Sequence, residues 1–409
     1  MKKFYLDNAA TTKPYPQVVD AMLPYLTNEF GNPGSKYLLG RNAKDAIETA
    51  RKQVANLINA EPEQIIFTSS GSEANNTVLK VKALTDKAFN TTVCSTIEHP
   101  SIYKYVSANA SRNIDTLVQV TSQGIVTEEA LVSAIKEVKV NFVKAPFVSI
   151  MYVNNELGSV NDVQMIARVC KEHGCLFHTD CTQAVTCKPI DVKEIGCDFA
   201  TISAHKIHGP KGVGALYVRD KSLLGLYLYD NNKKSYLIDG GSNQEFGMRA
   251  GTENVPGIVG FGKAAMMYKN SFNERMELVK EHSMLFLKVL HDELGDGFRL
   301  NCSETNDHLK ILSLTFFGVD SETLLLALDQ EGVFVSAGSA CSNHESEPSH
   351  VLKAIGMSRE DTFNTIRVSF SGDESVFDIS EAASIIADKV KFLRGISDKV
   401  KKIMKEKDS

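Results

Sequence analysis

The first two thirds of the chain alternate between two hydrophobic patterns. Apolar residues that recur every three or four positions are typical of amphipathic helices, and the clearest such segment is RNAKDAIETARKQVANLINA at residues 41–60. Short apolar runs with strand character lie between such segments: QIIFTSS (64–70), followed by a helix at about 71–83, then TTVCST, IDTLVQV, APFVSIMYV, GCLFHTD, CDFATISA and VGALYV. This alternation predicts a mainly parallel sheet that is covered by helices on both faces.

The pattern changes near residue 257. A long helical stretch runs to about residue 295, and the strands FRLNC, LKILSLTFF and TIRVSF then follow, interleaved with helices. We therefore predict a large α/β domain at residues 16–260. Residues 1–15 and 261–409 are predicted to form a smaller α+β domain, which ends in a charged, solvated helix.

Composition narrows the class of protein. The 409 residues are 43% hydrophobic and 23% charged, and the net charge is near −5. The chain therefore lacks the excess of positive charge that is typical of proteins that bind nucleic acid or an anionic membrane. The N-terminal MKKFYLDNAATT lacks the apolar region of a secretory signal, and no run approaches the roughly 18 apolar residues of a membrane helix. Eight scattered cysteines suit a reducing compartment. We expect a cytoplasmic protein.

A lysine stands where a ligand is expected. In SAHKIHGPKGVGALYV, residues 203–218, Lys206 follows a predicted strand and precedes a glycine-rich turn. Ligands of open α/β sheets bind at the carboxyl ends of strands, and a desolvated lysine there can form a Schiff base. Taken alone, such a lysine is more often part of a surface turn. GPKGVG does not match the dinucleotide-binding pattern G-x-G-x-x-G, so hydride chemistry is not supported.

Other residues at predicted strand ends strengthen the lysine hypothesis. Asp180 ends the strand GCLFHTD, where a carboxylate could keep the pyridinium nitrogen of pyridoxal phosphate protonated. Gly71 and Ser72 open a helix whose free N–H groups can bind a phosphate. The remaining candidates near strand ends are Gln183, Ser203, His205, His99 and Asn155. Each also has an ordinary structural interpretation, such as a helix cap for Asp180 or a buried structural histidine for His99.

Cysteine and histidine residues raise two further questions. Cys341 lies in VSAGSACSNHESEPSH, residues 335–350, whose small polar residues predict an exposed loop. From composition alone it is an incidental thiol, and with His344 and His350 it lacks a sensibly spaced fourth metal ligand. A second cluster looks like a zinc site: Cys170, Cys175, His178 and Cys181. Helix and strand geometry keeps these four from converging, so we expect no metal. Cys94, Cys197 and Cys302 are predicted to be buried.

Ten sequence blocks together resemble one known family. The blocks are YLDNAATT (5–12), GNPGSKYLLGR (31–41), FTSSGSEANN, EHPSI, VNNELGS (153–159), HTDCTQA (178–184), SAHKIHGPKGVGALY, QEFGMRAGTEN (244–254), SAGSACS and TIRVS (365–369). In this order they resemble the NifS/IscS-like cysteine desulfurases, which have the type I fold of pyridoxal-phosphate enzymes. The resemblance covers essentially the whole chain. It implies conversion of L-cysteine to L-alanine, with the sulfur passed on as a persulfide.

The resemblance also implies a role for each matching residue. Lys206 would form the Schiff base with pyridoxal phosphate, and Cys341 would be the nucleophile that accepts sulfur. Asp180 would pair with the pyridine nitrogen, Gln183 with the phenolic oxygen, and His99 would stack on the ring with Asn155 beside it. The phosphate would be held by Gly71, Ser72, Ser203 and His205, with Thr252 from the partner subunit of a homodimer. Arg367, with Asn32, would bind the substrate carboxylate, since a planar guanidinium suits that contact.

Some questions stay open at this stage. Tyr37 stands where many relatives carry histidine, and GGSNQE at residues 240–245 replaces a commoner three-glycine run. A selenocysteine lyase or aminotransferase would keep the cofactor, although an aminotransferase would not need Cys341. An inactive scaffold for sulfur acceptors is disfavoured, because Lys206, Asp180 and Cys341 are all present. The acceptor could belong to iron–sulfur assembly, tRNA thiolation, a cofactor pathway or DNA sulfur modification.

Overall fold

A computed structural model describes most of the chain: residues 2–84, 91–111, 115–141, 145–220, 223, 229–230, 233–234, 244–301, 307–337 and 348–407. The strands are β1 (Phe4–Tyr5), β2 (Ile65–Thr68), β3 (Thr92–Ser95), β4 (Thr116–Val118), β5 (Phe147–Ser149), β6 (Leu176–Asp180), β7 (Phe199–Ser203), β8 (Gly214–Val218), β9 (Tyr229–Asp230), β10 (Lys233–Lys234), β11 (Phe298–Leu300), β12 (Ile311–Phe316), β13 (Val333–Phe334), β14 (Ser336–Ala337) and β15 (Thr365–Ser369).

The helices follow the same chain order. They are α1 (Pro16–Met22), α2 (Pro24–Thr27), α3 (Leu38–Leu57), α4 (Gly71–Leu84), α5 (Pro100–Ala110), α6 (Glu128–Asn141), α7 (Val163–His173), α8 (Val192–Ile195), α9 (Val255–Asn270), α10 (Phe272–Leu294), α11 (Ser321–Asp329), α12 (His350–Ala354), α13 (Arg359–Phe363) and α14 (Val376–Lys407). None of the helices among the described residues combines the length and apolar character needed to cross a membrane.

A seven-stranded sheet forms the centre of the fold. Its strand order is β2–β8–β7–β6–β5–β3–β4, and only β8 runs antiparallel to its neighbours. Strands β2, β3, β5, β7 and β8 are buried along their whole length, and β6 is buried from Phe177 onward, as expected for a sheet between helices. Helices α4 to α7 pack against it. The predicted α/β fold with a seven-stranded, mainly parallel sheet is confirmed.

A second, antiparallel sheet has the order β11–β12–β15–β14. Its core contains apolar residues of α10, α11 and α14. Phe4 and Leu6 also belong to this core, and β1 pairs in parallel with β13, whereas Val18 of α1 belongs to the core of the large sheet. The N-terminal segment thus packs with the C-terminal part of the chain. The domain limits at residues 15/16 and 260/261 stay a prediction.

Two helices differ from the sequence-based expectation. The long helical stretch after residue 257 is divided at Ser271, where φ is −102° and ψ is 7°, into α9 and α10. The Ser271 hydroxyl donates to the Met267 carbonyl at 3.2 Å, the kind of side-chain bond that competes with a helix ladder. Helix α3 spans residues 38–57 instead of 41–60, and Asn59, at φ = 54°, turns the chain away just beyond its end.

Candidate active site

Most of the predicted cofactor-binding residues lie at the carboxyl edge of the central sheet. Strand β6 ends at Asp180, and β7 ends at Ser203, where a short 3₁₀ turn carries His205 and Lys206. Strand β2 leads into the N-terminus of α4 at Gly71, and β3 leads to His99, the N-cap of α5. This edge is where ligands bind in open α/β sheets, so the fold brings together the residues that the sequence singled out.

Lys206 is held by the N-terminal segment. Its Nζ donates to the carbonyls of Ala9 and Ala10 at 2.6 and 2.7 Å. The backbone of Thr12 bonds the carbonyl of His205 at 2.9 Å, and the Thr12 hydroxyl accepts from the N–H of His208 at 2.7 Å. Residues 9–12 therefore pack directly on the turn that presents the lysine. Sequence reasoning recognised YLDNAATT only as a family block and missed this contact.

Asp180 is a buried carboxylate with a hydrogen bond to each oxygen. Its Oδ1 accepts from the backbone N–H of Thr182, and its Oδ2 accepts from Nδ2 of Asn75, both at 2.8 Å. Gln183 lies one turn further on, and its Nε2 donates to the carbonyl of Ala9 at 2.8 Å. Its Oε1 is buried and has no hydrogen-bond partner within the described part of the chain. Such an orphaned acceptor fits a site whose missing partner is a ligand.

The neighbourhood of Gly71 has room for a backbone but not for a side chain. A Cβ built on Gly71 would lie 3.1 Å from Oγ1 of Thr182 and 3.7 Å from Cβ of Ser203. Ser203 is buried, whereas Ser72, the next residue of α4, is exposed. A helix N-terminus in a tight polar recess suits an anion such as the phosphate of the cofactor.

His205 lies on the 3₁₀ turn that follows Ser203. Burial, reinforced by Lys206 and Lys211, lowers the pKa of His205 to about 4. The imidazole is therefore neutral near pH 7, and its Nδ1 lies 3.2 Å from the hydroxyl oxygen of Thr11. A neutral histidine can contact a phosphate only through a ring N–H, without adding charge.

His99 joins a buried polar network. Its Nδ1 lies 2.7 Å from Oγ of Ser101, and Asn75 connects that hydroxyl to Asp180. Burial lowers the pKa of His99; Asp180 opposes this shift and Lys206 reinforces it. The sequence drew attention to His99 and Asp180, but it gave no sign that Asn75 and Ser101 connect them.

Arg367 reaches the site from strand β15 of the second sheet. Its Nη1 donates to the carbonyl of Asn155, and its Nη2 pairs with Oδ1 of Asp7, both at 2.8 Å. The buried Nε has no partner among the described residues. The guanidinium thus keeps a donor available while a protein carboxylate holds its far end. This arrangement suits the binding of a second carboxylate.

Two buried glutamates at the site were not predicted. Glu98 is fully buried beside His99, and burial raises the pKa of its carboxyl to about 8, although bonds from Ser95 and Met151 oppose the shift. Burial also raises the pKa of Glu156 to about 7, while the Ser349 hydroxyl donates to it at 2.6 Å. Both glutamates stand within quoted blocks, EHPS and VNNE, so their proximity to candidate residues was the available signal.

Some predicted residues are not joined to this group by described contacts. Asn32 is exposed, and its Oδ1 accepts from the N–H of Gly34 in a local turn at 2.9 Å. Thr252 is also exposed, and Asn155 contributes its backbone carbonyl to Arg367. Cys341 and His344 lie outside the described residues. The roles given to these residues stay predictions.

The four residues that look like a zinc site in the sequence do not form one among the described residues. Cys170, Cys175 and Cys181 are buried, as are Cys94 and Cys197, which were predicted to be buried; Cys302 lies outside the described residues. Both ring nitrogens of His178 contact hydroxyls, those of Ser149 at 2.8 Å and Thr201 at 3.0 Å. Within the described ranges, no three His, Cys, Asp or Glu side chains are arranged to hold a metal ion.

Comparison with known proteins identifies the family. The family described as Aminotransferase class-V matches residues 4–381, and this chain belongs to it. NifS-like members of this family depend on pyridoxal phosphate. The orphaned Gln183 oxygen, the buried Asp180 carboxylate and the recess at Gly71 fit that cofactor.

Individual relatives cover nearly the whole chain. Cysteine desulfurase IscS of Methanosarcina thermophila is 36% identical over 405 residues, which span 97% of this chain and 94% of the relative. A solved structure called NifS-like protein is 29% identical and has a TM-score of 0.83, covering 96% of this chain and 100% of its own. Another solved structure, described as SspA in complex with cysteine, is 29% identical and has a TM-score of 0.71. The match covers 91% of this chain and 100% of that structure's chain. The predicted family is confirmed.

Proposed function

We propose that this chain is a pyridoxal-phosphate-dependent cysteine desulfurase. It converts L-cysteine to L-alanine and receives the sulfur as a persulfide on Cys341. The observation that carries the proposal is the convergence of Lys206, Asp180 and His99 at the carboxyl edge of the sheet. The names of relatives support it over selenocysteine lyase or aminotransferase, because the curated relative is called a cysteine desulfurase and one solved neighbour is described in complex with cysteine.

Each part of the cofactor has candidate binding residues in this chain. Lys206 would bind it covalently, Asp180 would pair with its ring nitrogen, and Gln183 would contact its phenolic oxygen. His99 would stack on the ring beside Asn155, and its phosphate would lie at Gly71, Ser72, Ser203 and His205. When bound, the cofactor supplies an electron sink for negative charge at the α-carbon of the substrate.

Side chains of this protein would bind the substrate, remove its α-proton and accept its sulfur. Arg367 would bind the carboxylate of L-cysteine, aided by Asn32. Once its amine is free, Lys206 would remove the α-proton as a general base. The Cys341 thiolate would then attack the substrate sulfur: an S–S bond forms, the carbon–sulfur bond breaks, and its electron pair stays with the carbon, which gains a proton to give alanine.

A homodimer is part of the proposal, with Thr252 of one chain reaching the phosphate bound by its partner. Exposed apolar side chains between residues 19 and 38 support a protein-covered surface there: Val19, Leu23, Leu26, Phe30, Tyr37 and Leu38. The persulfide would pass to an acceptor protein, such as an iron–sulfur scaffold or a thiolation relay. We place this reaction in the cytoplasm.

The proposal is tested by measuring alanine and sulfide formed from L-cysteine by the purified holoenzyme in the presence of a thiol reductant, which releases the persulfide sulfur as sulfide. We expect both products from the native chain. Cys341→Ser should keep the absorbance band of the bound cofactor but lose activity by about 100-fold or more, because the sulfur acceptor is gone. Ser342→Ala, which changes the adjacent loop residue, is the matched control and should stay active.

Two other outcomes would contradict parts of the proposal. Full activity in Cys341→Ser would show that the loop thiol is not the sulfur acceptor. Production of pyruvate or of a transaminated product in place of alanine would overturn the desulfurase assignment itself. A large preference for selenocysteine over cysteine, measured as kcat/KM, would favour the lyase alternative.

A further inference from the structure

A continuous hydrogen-bonded chain connects Asp180 to His99. Nδ2 of Asn75 lies 2.8 Å from Oδ2 of Asp180 and 3.0 Å from Oγ of Ser101, and that oxygen lies 2.7 Å from Nδ1 of His99. The backbone N–H of Ser101 also donates to Nδ1 of His99, at 3.2 Å. Asn75 is buried on α4, so the chain joins side chains from a helix, a strand end and a helix cap.

The direction of every proton in this chain follows from chemistry. A carboxylate oxygen accepts, so the amide nitrogen of Asn75 faces Asp180; the reversed amide would set its own oxygen against the Asp180 oxygen. The two hydrogens of that nitrogen serve Asp180 and Ser101. The backbone N–H of Ser101 already donates to Nδ1 of His99, so that nitrogen is an acceptor and the contact with the Ser101 hydroxyl must be donated by the hydroxyl.

Nδ1 of His99 therefore receives two donors and carries no proton. A neutral imidazole has one N–H, which must then be on Nε2. Burial, which lowers the pKa of His99, is consistent with a neutral ring. Lys206 acts in the same direction as burial, and Asp180 acts against it.

We propose that Asn75 and Ser101 are positioning residues, which fix His99 as the neutral tautomer with its proton on Nε2. In this state His99 presents only a hydrogen-bond donor to a bound ligand. Its Nε2 can donate a hydrogen bond, but it has no free lone pair there, so His99 in this state does not act as a base through Nε2. The inference deepens the proposed function, on which its kinetic test rests, because it states which protonation state of His99 meets the substrate.

The direct test is the ¹⁵N spectrum of imidazole nitrogens in protein labelled with [¹⁵N]histidine, recorded with and without cofactor. His99→Gln identifies the His99 signals among the ten histidines. We expect a protonated Nε2 and an unprotonated Nδ1. In Ser101→Ala only the backbone N–H of residue 101 still donates to Nδ1, so a measurable fraction of the form protonated on Nδ1 should appear, whereas Ser101→Thr keeps the hydroxyl and should restore the native signals.

Kinetic measurements supply a second readout. Ser101→Ala and Asn75→Ala should each lower kcat about tenfold while KM changes less than about twofold, since an orienting contact is lost and the substrate contacts remain. They should also alter the pH profile of kcat. Ser107→Ala on the same helix and Asn76→Ala on α4 are matched controls and should keep native kinetics.

A native protonated Nδ1, or an unchanged tautomer in Ser101→Ala, would overturn the inference. Thermal unfolding of each variant separates a general loss of stability from a change of tautomer, since the α5 cap uses the backbone N–H of Ser101 and stays in place. Failure of the native enzyme to form alanine would overturn the proposed function, while the nitrogen spectrum would still decide the tautomer.

Discussion

Glu98→Gln should remove a large pH dependence of stability. The carboxyl of Glu98 is fully buried, its Oε1 accepts from Ser95 and Met151, and its Oε2 has no partner among the described residues. Burial raises its pKa from 4.5 to about 8. The native state therefore keeps this proton at pH 7, whereas the unfolded chain has lost it.

The sign follows from proton linkage. Between pH 4.5 and 8 the native state binds more protons at Glu98 than the unfolded state does, so the free energy of unfolding falls as pH rises. The loss approaches about 1.4 kcal/mol per pH unit, which amounts to about 3 kcal/mol between pH 5 and 7.5. Glutamine has the same shape and no titrating proton, so Glu98→Gln lacks this loss.

The assay is urea unfolding of the native enzyme and Glu98→Gln from pH 5 to 7.5. Other titrating groups, including Glu156 and the buried histidines, are common to both proteins and largely cancel in the difference. We expect the difference in unfolding free energy to move by about 3 kcal/mol in favour of the variant as pH rises. A difference that changes by less than about 1 kcal/mol, or in the opposite direction, would refute the reasoning.

Two further predictions concern Arg51 of α3 and Gly71 of α4. Arg51→Ala should lower the free energy of unfolding by about 3–5 kcal/mol, because it leaves the carboxylate of Glu245 buried without its bidentate partner at 2.7–2.8 Å. Lys193→Ala breaks an exposed pair and should cost less than about 1 kcal/mol in the same urea titration, so equal losses would contradict this account. Gly71→Ala places a Cβ about 3.1 Å from Oγ1 of Thr182, and should weaken cofactor binding about tenfold in equilibrium dialysis. Unchanged affinity would show that the phosphate does not lie there.

The sequence predicted those parts of the site that depend on one strand end or one helix start. Asp180 and Lys206 each follow a short apolar run, so their position at the sheet edge could be inferred without a structure. The contact between Asn75 and Asp180 joins residues 105 positions apart, and no local pattern signals it.

Burial of titratable groups was also beyond the reach of pattern analysis. Glu98 is a charged residue type that is mostly exposed in proteins, and only tertiary packing makes it a buried acid with a raised pKa.

The break at Ser271 was missed for a related reason. Apolar periodicity continues across it, and a single serine is a weak local signal.

The pairing of Asp7 with Arg367 also sets an order of events during synthesis. The two residues are 360 positions apart, and strand β1 finds its neighbour β13 only after residue 333 has been made. At about 5–20 residues per second, roughly 20 to 70 seconds separate the emergence of Asp7 from that of Arg367. A growing chain can thus build the central sheet and the Lys206 turn while the N-terminal segment still lacks its β-strand partner. Arg367, which we propose to bind the substrate carboxylate, therefore joins Asp7 only near the end of synthesis.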